Sequence, residues 1–290
     1  MADEQVEVRR ATILSLGRLE KNNPAVEPEL RKFAQDPDQV SRVNAVIALA
    51  EMGKADDSAI PVLLEALGSK EKPTAKAAGR VLGRMGKNKP EMILPSMIQA
   101  LEKKEEPLTG YAVQVLRNMK TAAEPALPQI AALYDSADPS TRLDIIDAVA
   151  AIDKDGGHAI PVLIKGLKAA DPLDRKEALL GLMRYREKPE PFLDPLAESL
   201  KDTDGENRLL AAEIIKGLGN KALKAVPQVT VLFQDPVPRV RLTAIGAVGA
   251  LKPPPREALP ELERALKHEH PQTRIVAAAA LAQFGAAYPN

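Results

Sequence analysis

Eleven residues, Arg42-Val43-Asn44-Ala45-Val46-Ile47-Ala48-Leu49-Ala50-Glu51-Met52, decide the fold. They read as an arginine, a small residue three positions on, an apolar residue four after that, and another three further. Steps of three and four place all of these on one face of an α-helix. The figure returns as Arg175…Ala178…Leu182…Tyr185, Arg208…Ala211…Ile215…Leu218, Arg241…Ala244…Val248…Leu251 and Arg274…Ala277…Leu281…Phe284. Weaker copies start at Arg9, Ala75, Thr109 and Arg142. The nine starts, 9, 42, 75, 109, 142, 175, 208, 241 and 274, are separated by 33 residues seven times and by 34 once. A fixed period of this length marks an array of one repeated unit.

Proline keeps the same beat. Pro28, Pro61, Pro95, Pro128, Pro161, Pro195, Pro227 and Pro260 each open an apolar helical stretch. The first turn of a helix tolerates proline because its N–H has no partner there. A second set, Pro37, Pro73, Pro107, Pro139, Pro172, Pro236 and Pro271, lies in short polar turns such as Asp36-Pro37 and Asp235-Pro236. The unit is therefore a helix A, an Asp-Pro turn, a helix B and a linker. Eight A helices and nine B helices are predicted. No stretch alternates with period two, so no strand is expected. One helix pair cannot bury its apolar side alone, whereas stacked neighbours bury it jointly. The expected architecture is all-α: a curved, right-handed α-solenoid of about nine 33-residue helical hairpins, a single repeat domain over 1–290. At roughly 8–10 Å per helix layer, its length is on the order of 80 Å.

Composition narrows the function. The 290 residues carry 40 Lys and Arg against 40 Asp and Glu, so the net charge is zero. A protein that coats nucleic acid needs an excess of cations, as does one that lies on an anionic membrane. There is no cysteine, which removes disulfides and thiolate chemistry. Aromatics make up only 3%. The apolar content is mostly Ala, Leu, Val and Ile, suited to closely stacked helices. No apolar run is long enough for a membrane span. Residues 1–5 are acidic and polar, unlike a secretory signal, so cytoplasmic placement is the default and export would require a leader ahead of Met1.

The motif set Asp36-Pro37…Arg42…Ala45…Leu49…Gly53, Asp171-Pro172…Arg175…Ala178, Asp235-Pro236…Arg241…Ala244…Val248 and His270-Pro271…Arg274…Ala277…Leu281…Gly285 resembles HEAT repeats. The variety is the short bacterial, armadillo-like kind also seen in phycobilisome lyase-like proteins. The resemblance covers essentially the whole chain, with Ala75 and Thr109 standing where arginine is expected. It implies that turn aspartates and helix-B arginines form a structural ladder within and between repeats: Asp36, Arg42, Arg142, Arg175, Arg208, Asp235, Arg241 and Arg274. Carboxylate–guanidinium pairs suit such a junction because they can be bidentate.

The resemblance also implies that the B helices line a concave surface. Offsets of two, five and nine from each start should point away from the core. The two N-terminal columns are Ala11, Leu14, Arg18 and Asn44, Ile47, Glu51. Further on, Arg80 and Arg84 make a basic spot, Tyr111, Gln114 and Asn118 a polar middle, and Asp144, Asp147, Glu177 and Glu213 an acidic stretch, with Arg184 beside it. A partner with charged ends would be oriented by this polarity. These ten residues are the candidate partner-binding set.

No chemistry accompanies the face. The histidines are His158, His268 and His270, with a single His-Glu pair at His268-Glu269. No nucleophile elbow or phosphate loop is present. Asp153–Gly157 matches a calcium loop at only a few positions and reads as a linker turn. The expectation is a non-catalytic scaffold for a protein or extended peptide, with no cofactor or metal. The alternatives are a nucleic-acid-binding protein of the DNA-repair type and a lyase or chaperone acting on a chromophore-bearing subunit. At the ends, the first B helix lacks an A partner and the last is apolar nearly all round. A longer natural chain, or self-association through a terminal repeat, is therefore expected.

Overall fold

The structure is a computed structural model and describes residues 5–18, 25–69 and 71–287, without the side chains at positions 14, 17 and 18. The expected outward positions Leu14 and Arg18 therefore lie outside the described side chains. Seventeen α-helices and no strand occur among the described residues. The chain divides into two compact units, Met1–Lys154 and Asp155–Asn290.

In the first unit the helices are α1 (Val6–Arg18), α2 (Val26–Phe33), α3 (Gln39–Glu51), α4 (Ala59–Leu67), α5 (Lys72–Gly86), α6 (Pro90–Lys103), α7 (Leu108–Met119), α8 (Leu127–Leu133) and α9 (Pro139–Ile152). The odd-numbered members are the B helices, and each packs on the next one along: α1 on α3, α3 on α5, α5 on α7 and α7 on α9. The even-numbered A helices form the second layer, with α4 on α6 and α6 on α8. Residues such as Leu30, Leu63, Leu82, Ile93, Leu101 and Leu116 fill the space between the layers and are fully buried.

In the second unit the helices are α10 (Ala159–Gly166), α11 (Pro172–Leu182), α12 (Leu193–Glu198), α13 (Gly205–Leu218), α14 (Val226–Val231), α15 (Pro238–Gly249), α16 (Leu259–Ala265) and α17 (Pro271–Ala287). The same two-layer order holds, with α11, α13, α15 and α17 packed in sequence. Phe192 and Phe233 are buried in its A layer. Short 3-10 turns lead into α12, α14 and α16.

The sequence landmarks sit where helix chemistry requires them. The repeat position falls three residues into every B helix except α7, where Thr109 is the second residue. The opening prolines fall in the first turn of their A helices, except Pro95, which lies inside α6 because that helix already begins at Pro90. Asp38, Asp138, Asp171 and Asp204 cap α3, α9, α11 and α13 by accepting backbone N–H groups of the first turn. At the start of α10, Gly156 has φ +83°, and a Cβ there would meet the Ile160 side chain at 2.6 Å. The Asp153–Gly157 segment is thus a tight connection in which glycine is needed for conformation and space.

Candidate functional site

The ladder positions carry the turns. One guanidinium nitrogen, Nη1, of Arg42, Arg175, Arg208, Arg241 and Arg274 donates to the two carbonyls six and five residues earlier. Arg142 reaches the Ala137 carbonyl. The opposite edge of the fork reaches the next repeat. Arg175 Nε and Nη2 donate to Asp202 at 2.7 and 2.8 Å, and Arg208 does the same to Asp235 at 2.7 and 3.1 Å. Arg9 pairs with Asp36 at 2.9 Å. Arg42 departs from the pattern, with exposed Glu65 3.4 Å away in place of an aspartate.

The turn aspartates do two different jobs. Those six residues before the repeat arginine (Asp36, Asp202, Asp235) take the fork of the preceding repeat. Those four before it (Asp38, Asp138, Asp171, Asp204) cap the helix. Reading the Asp-Pro turns as one motif merges the two. Burial, the largest single influence on Asp202, favours its neutral form, but Arg175, the Asp204 N–H and Asn207 together hold its pKa below the ordinary range. Asp38 also accepts a two-bond fork from Arg10, and that pairing holds its carboxyl far below the usual range.

The outward offsets behave as a face in both units. Every described offset residue is at least partly exposed except Tyr111, which is 6% exposed. Tyr111 is a correction to the candidate set: its ring is inside α7's packing and offers no surface to a partner. The remaining candidates of the first unit are connected. Arg80 and Arg84 from α5 and Asn118 from α7 line one shallow depression of about 270 Å³ with Glu51, Ala77, Val81 and Lys87. Gln114 donates to Asp144 at 2.7 Å, and Arg117 forms an ion pair with Asp147 at 2.6 Å. Burial raises the Asp144 pKa, against the opposing pull of Gln114 and Arg117. In the second unit, half-buried Glu177 lies on α11, exposed Arg184 in the turn after it and exposed Glu213 on α13; Leu180 on α11 and Met183 in the turn are exposed as well.

Helix α5 holds more than the basic spot. Its sequence has no acidic residue, and Lys72, Lys76, Arg80 and Arg84 recur at steps of four, followed by Lys87 at the C-cap. Steps of four and three keep all five on one side of the helix. All five are exposed, and none forms a hydrogen bond or salt bridge among the described residues. The row spans about 22 Å at 1.5 Å per residue. Fixed offsets selected only two of the five; the i, i+4 spacing of Lys and Arg was the signal for the rest.

Glycine brings α7 close beside this row. A Cβ on Gly83 would stand 2.4 Å from the Asn118 Cβ and 3.2 Å from the Val115 carbonyl, and one on Gly86 would stand 2.7 Å from the Met119 side chain. The α5–α7 approach therefore depends on absent side chains, and it sets Asn118 beside Arg84.

No cluster of three or more metal-ligating groups occurs among the described residues, and no described helix is long and apolar enough to cross a membrane. The helical pairs, the fork-to-turn ladder and the polar B-helix face define an all-α solenoid. The family model for HEAT repeats matches residues 1–83 and 193–282, more than half of the chain. This protein belongs to the HEAT repeat family. Solved structures agree in fold. An engineered protein aligns over 98% of this chain and 86% of its own at 20% identity, with a TM-score of 0.58. The Escherichia coli protein YibA aligns over 98% and 99% at 16% identity, with a TM-score of 0.57. A chain of the complex of Kap95p with RanGDP aligns over 98% of this chain and 46% of its own at 14% identity, with a TM-score of 0.67. No curated protein matches the sequence.

Proposed function

We propose that this chain is a non-catalytic scaffold that holds another protein along the outward face of its B helices. In the first unit, the α5 row takes an extended acidic segment of that partner. The observation that carries this reading is five exposed cations on one helix face, none of them held in a salt bridge among the described residues.

The spacing suits an extended peptide. Steps of four residues put successive cations about 6 Å apart along the helix, and alternate side chains of an extended chain recur about every 6.6 Å. Asp or Glu at every second position would meet the cations nearly in register over some seven residues. Partly exposed Ala77 and the depression beside it accept a small apolar side chain between them.

Nucleic acid suits the face poorly. Binding of single strands relies on aromatic side chains as stacking platforms. Every described Phe and Tyr is buried. In the second unit, Glu177, Arg184 and Glu213 are proposed as contacts on that unit's own B-helix face. The 33-residue beat passes residues 154–155 unbroken, which supports treating 1–290 as one repeat domain.

The test is fluorescence anisotropy of a labelled nine-residue peptide with Asp at alternate positions, titrated with the full chain. Arg80→Glu with Arg84→Glu should weaken binding by more than about tenfold, since reversal replaces attraction with repulsion. Rising salt should weaken it as well. Binding unchanged by the reversal, or tighter binding of a single-stranded oligonucleotide, would overturn the assignment.

A further inference from the structure

The last turn of the ladder breaks the pattern in a chemically specific way. Asp36, Asp202 and Asp235 each use one carboxylate oxygen to accept the backbone N–H two residues on, at 2.8 Å, and they also hold the arginine of the preceding repeat. One period after Asp235 stands His268, and one period after the capping position stands His270. His268 copies half of the aspartate: its Nδ1 accepts the His270 backbone N–H at 3.1 Å. That hydrogen bond assigns the ring proton to Nε2, which can donate but cannot accept from a guanidinium.

Arg241 loses its counter-ion as a result. Its Nη1 holds the turn carbonyls of Asp235 and Pro236, and its Nε reaches the Thr273 hydroxyl only at 3.4 Å. Its Nη2 has no hydrogen-bond partner among the described residues, although Arg241 is only 3% exposed. A buried guanidinium without a carboxylate is costly, because burial strips its hydration and no neighbouring charge compensates. Arg241 also lines a surface cleft of about 500 Å³ together with Arg264, Lys267, His268 and His270. The acidic groups that line it already have partners. Asp235 is forked to Arg208, and Glu269 is exposed and contacts His270 at 3.2 Å.

We propose that this cleft binds a small tetrahedral oxyanion, a phosphate group, which takes the place of the missing aspartate opposite Arg241. The donors gathered there are the unpartnered Arg241 Nη2, the His268 Nε2–H and the Lys267 ammonium, beside the Arg264 guanidinium, whose Nη1 also donates to Glu261 at 3.0 Å. Two or three anionic oxygens satisfy such a set better than one carboxylate does. The site is independent of the α5 row and of any protein partner.

The test uses the full chain and inorganic phosphate, with glycerol phosphate, acetate and chloride as parallel arms at equal ionic strength. The His268 and His270 imidazole NMR signals report on the cleft itself, so an ion held elsewhere does not register. Phosphate should perturb both rings saturably, and chloride should not. Equal response to glycerol phosphate would mean that the site accepts an esterified phosphate; a response to inorganic phosphate alone would restrict it to the free ion. His268→Asp restores the aspartate of the other repeats. It should raise the thermal midpoint in phosphate-free buffer and weaken phosphate binding, read at His270, by at least about tenfold, the factor of one charge-assisted hydrogen bond. Arg241→Gln should also abolish binding, and the His268→Asp result stands if that variant fails to fold. Identical perturbation by chloride, or undiminished phosphate binding in His268→Asp, would overturn the proposal.

Discussion

Gly83→Ala tests whether the site's geometry depends on an absent side chain. The new methyl would lie 2.4 Å from the Asn118 Cβ and 3.2 Å from the Val115 carbonyl oxygen. Carbon atoms rest about 3.5–4.0 Å apart. Neither neighbour is the free end of a flexible chain, so α5 and α7 must separate by on the order of 1 Å. Overpacking of this kind costs about 1–3 kcal/mol. Replacing a mid-helix glycine returns up to about 1 kcal/mol of helix propensity. The net expectation is a loss of about 1–2 kcal/mol, a midpoint lowered by roughly 2–6 °C. Gly217→Ala is the internal control. Gly217 also lies within a B helix, but a Cβ there meets nothing within 4 Å. It should stabilise by about 0.5 kcal/mol or more. Urea and thermal unfolding of both variants give the comparison. Gly83→Ala should also weaken acidic-peptide binding although it removes no charge, because Arg84 and Asn118 move apart. If Gly83→Ala stabilised the protein as Gly217→Ala does, the close approach of α5 and α7 would be refuted.

Other consequences can be checked alongside. Asp235→Ala leaves the Arg208 guanidinium beside a side-chain position that is only 3% exposed, and breaking such a pair should cost about 3 kcal/mol in urea unfolding; a loss under about 1 kcal/mol would contradict the ladder's structural role. The carboxyls of Asp38 and Asp202 are held below their ordinary range, so their contribution is present above the unfolded value near 4 and is lost as pH falls through the folded values. Acid titration should therefore destabilise the wild type more steeply than Asp202→Asn. Asp144 has the opposite sign. Burial raises its pKa, so ionisation disfavours the fold at neutral pH, and the penalty fades as pH falls through the raised value. Asp144→Asn, which still accepts from Gln114, should match or exceed wild-type stability at pH 7 and lose that advantage in acid. Ile275 on α17 is 66% exposed, so Ile275→Glu should abolish any self-association seen by light scattering if the terminal helix mediates it; association that persists would point to another surface.

The repeat was legible because its arginine does the same job each time. A residue that must reach carbonyls five and six positions back recurs in fixed register, and Arg42, Arg175, Arg208, Arg241 and Arg274 all do so. The outward columns follow from the same register. Tyr111 misled because offset two lies on the flank of a B helix, where half-burial is usual, and a large ring there gains by turning inward. Lys72, Lys76 and Lys87 went unread because they follow the period of the helix and not that of the repeat. The seam at Gly83 and the orphaned Nη2 of Arg241 required coordinates, since both depend on what a neighbouring helix brings near.

Site-specific photo-crosslinking in cells tests the central claim most directly. A photoreactive residue would replace Lys76 on the B-helix side of the first unit, and in a second strain Met92, an exposed residue on α6 in the A layer. A protein adduct from position 76, lost when Arg80→Glu and Arg84→Glu are added, is the predicted result. Adducts from position 92 with none from position 76 would contradict it.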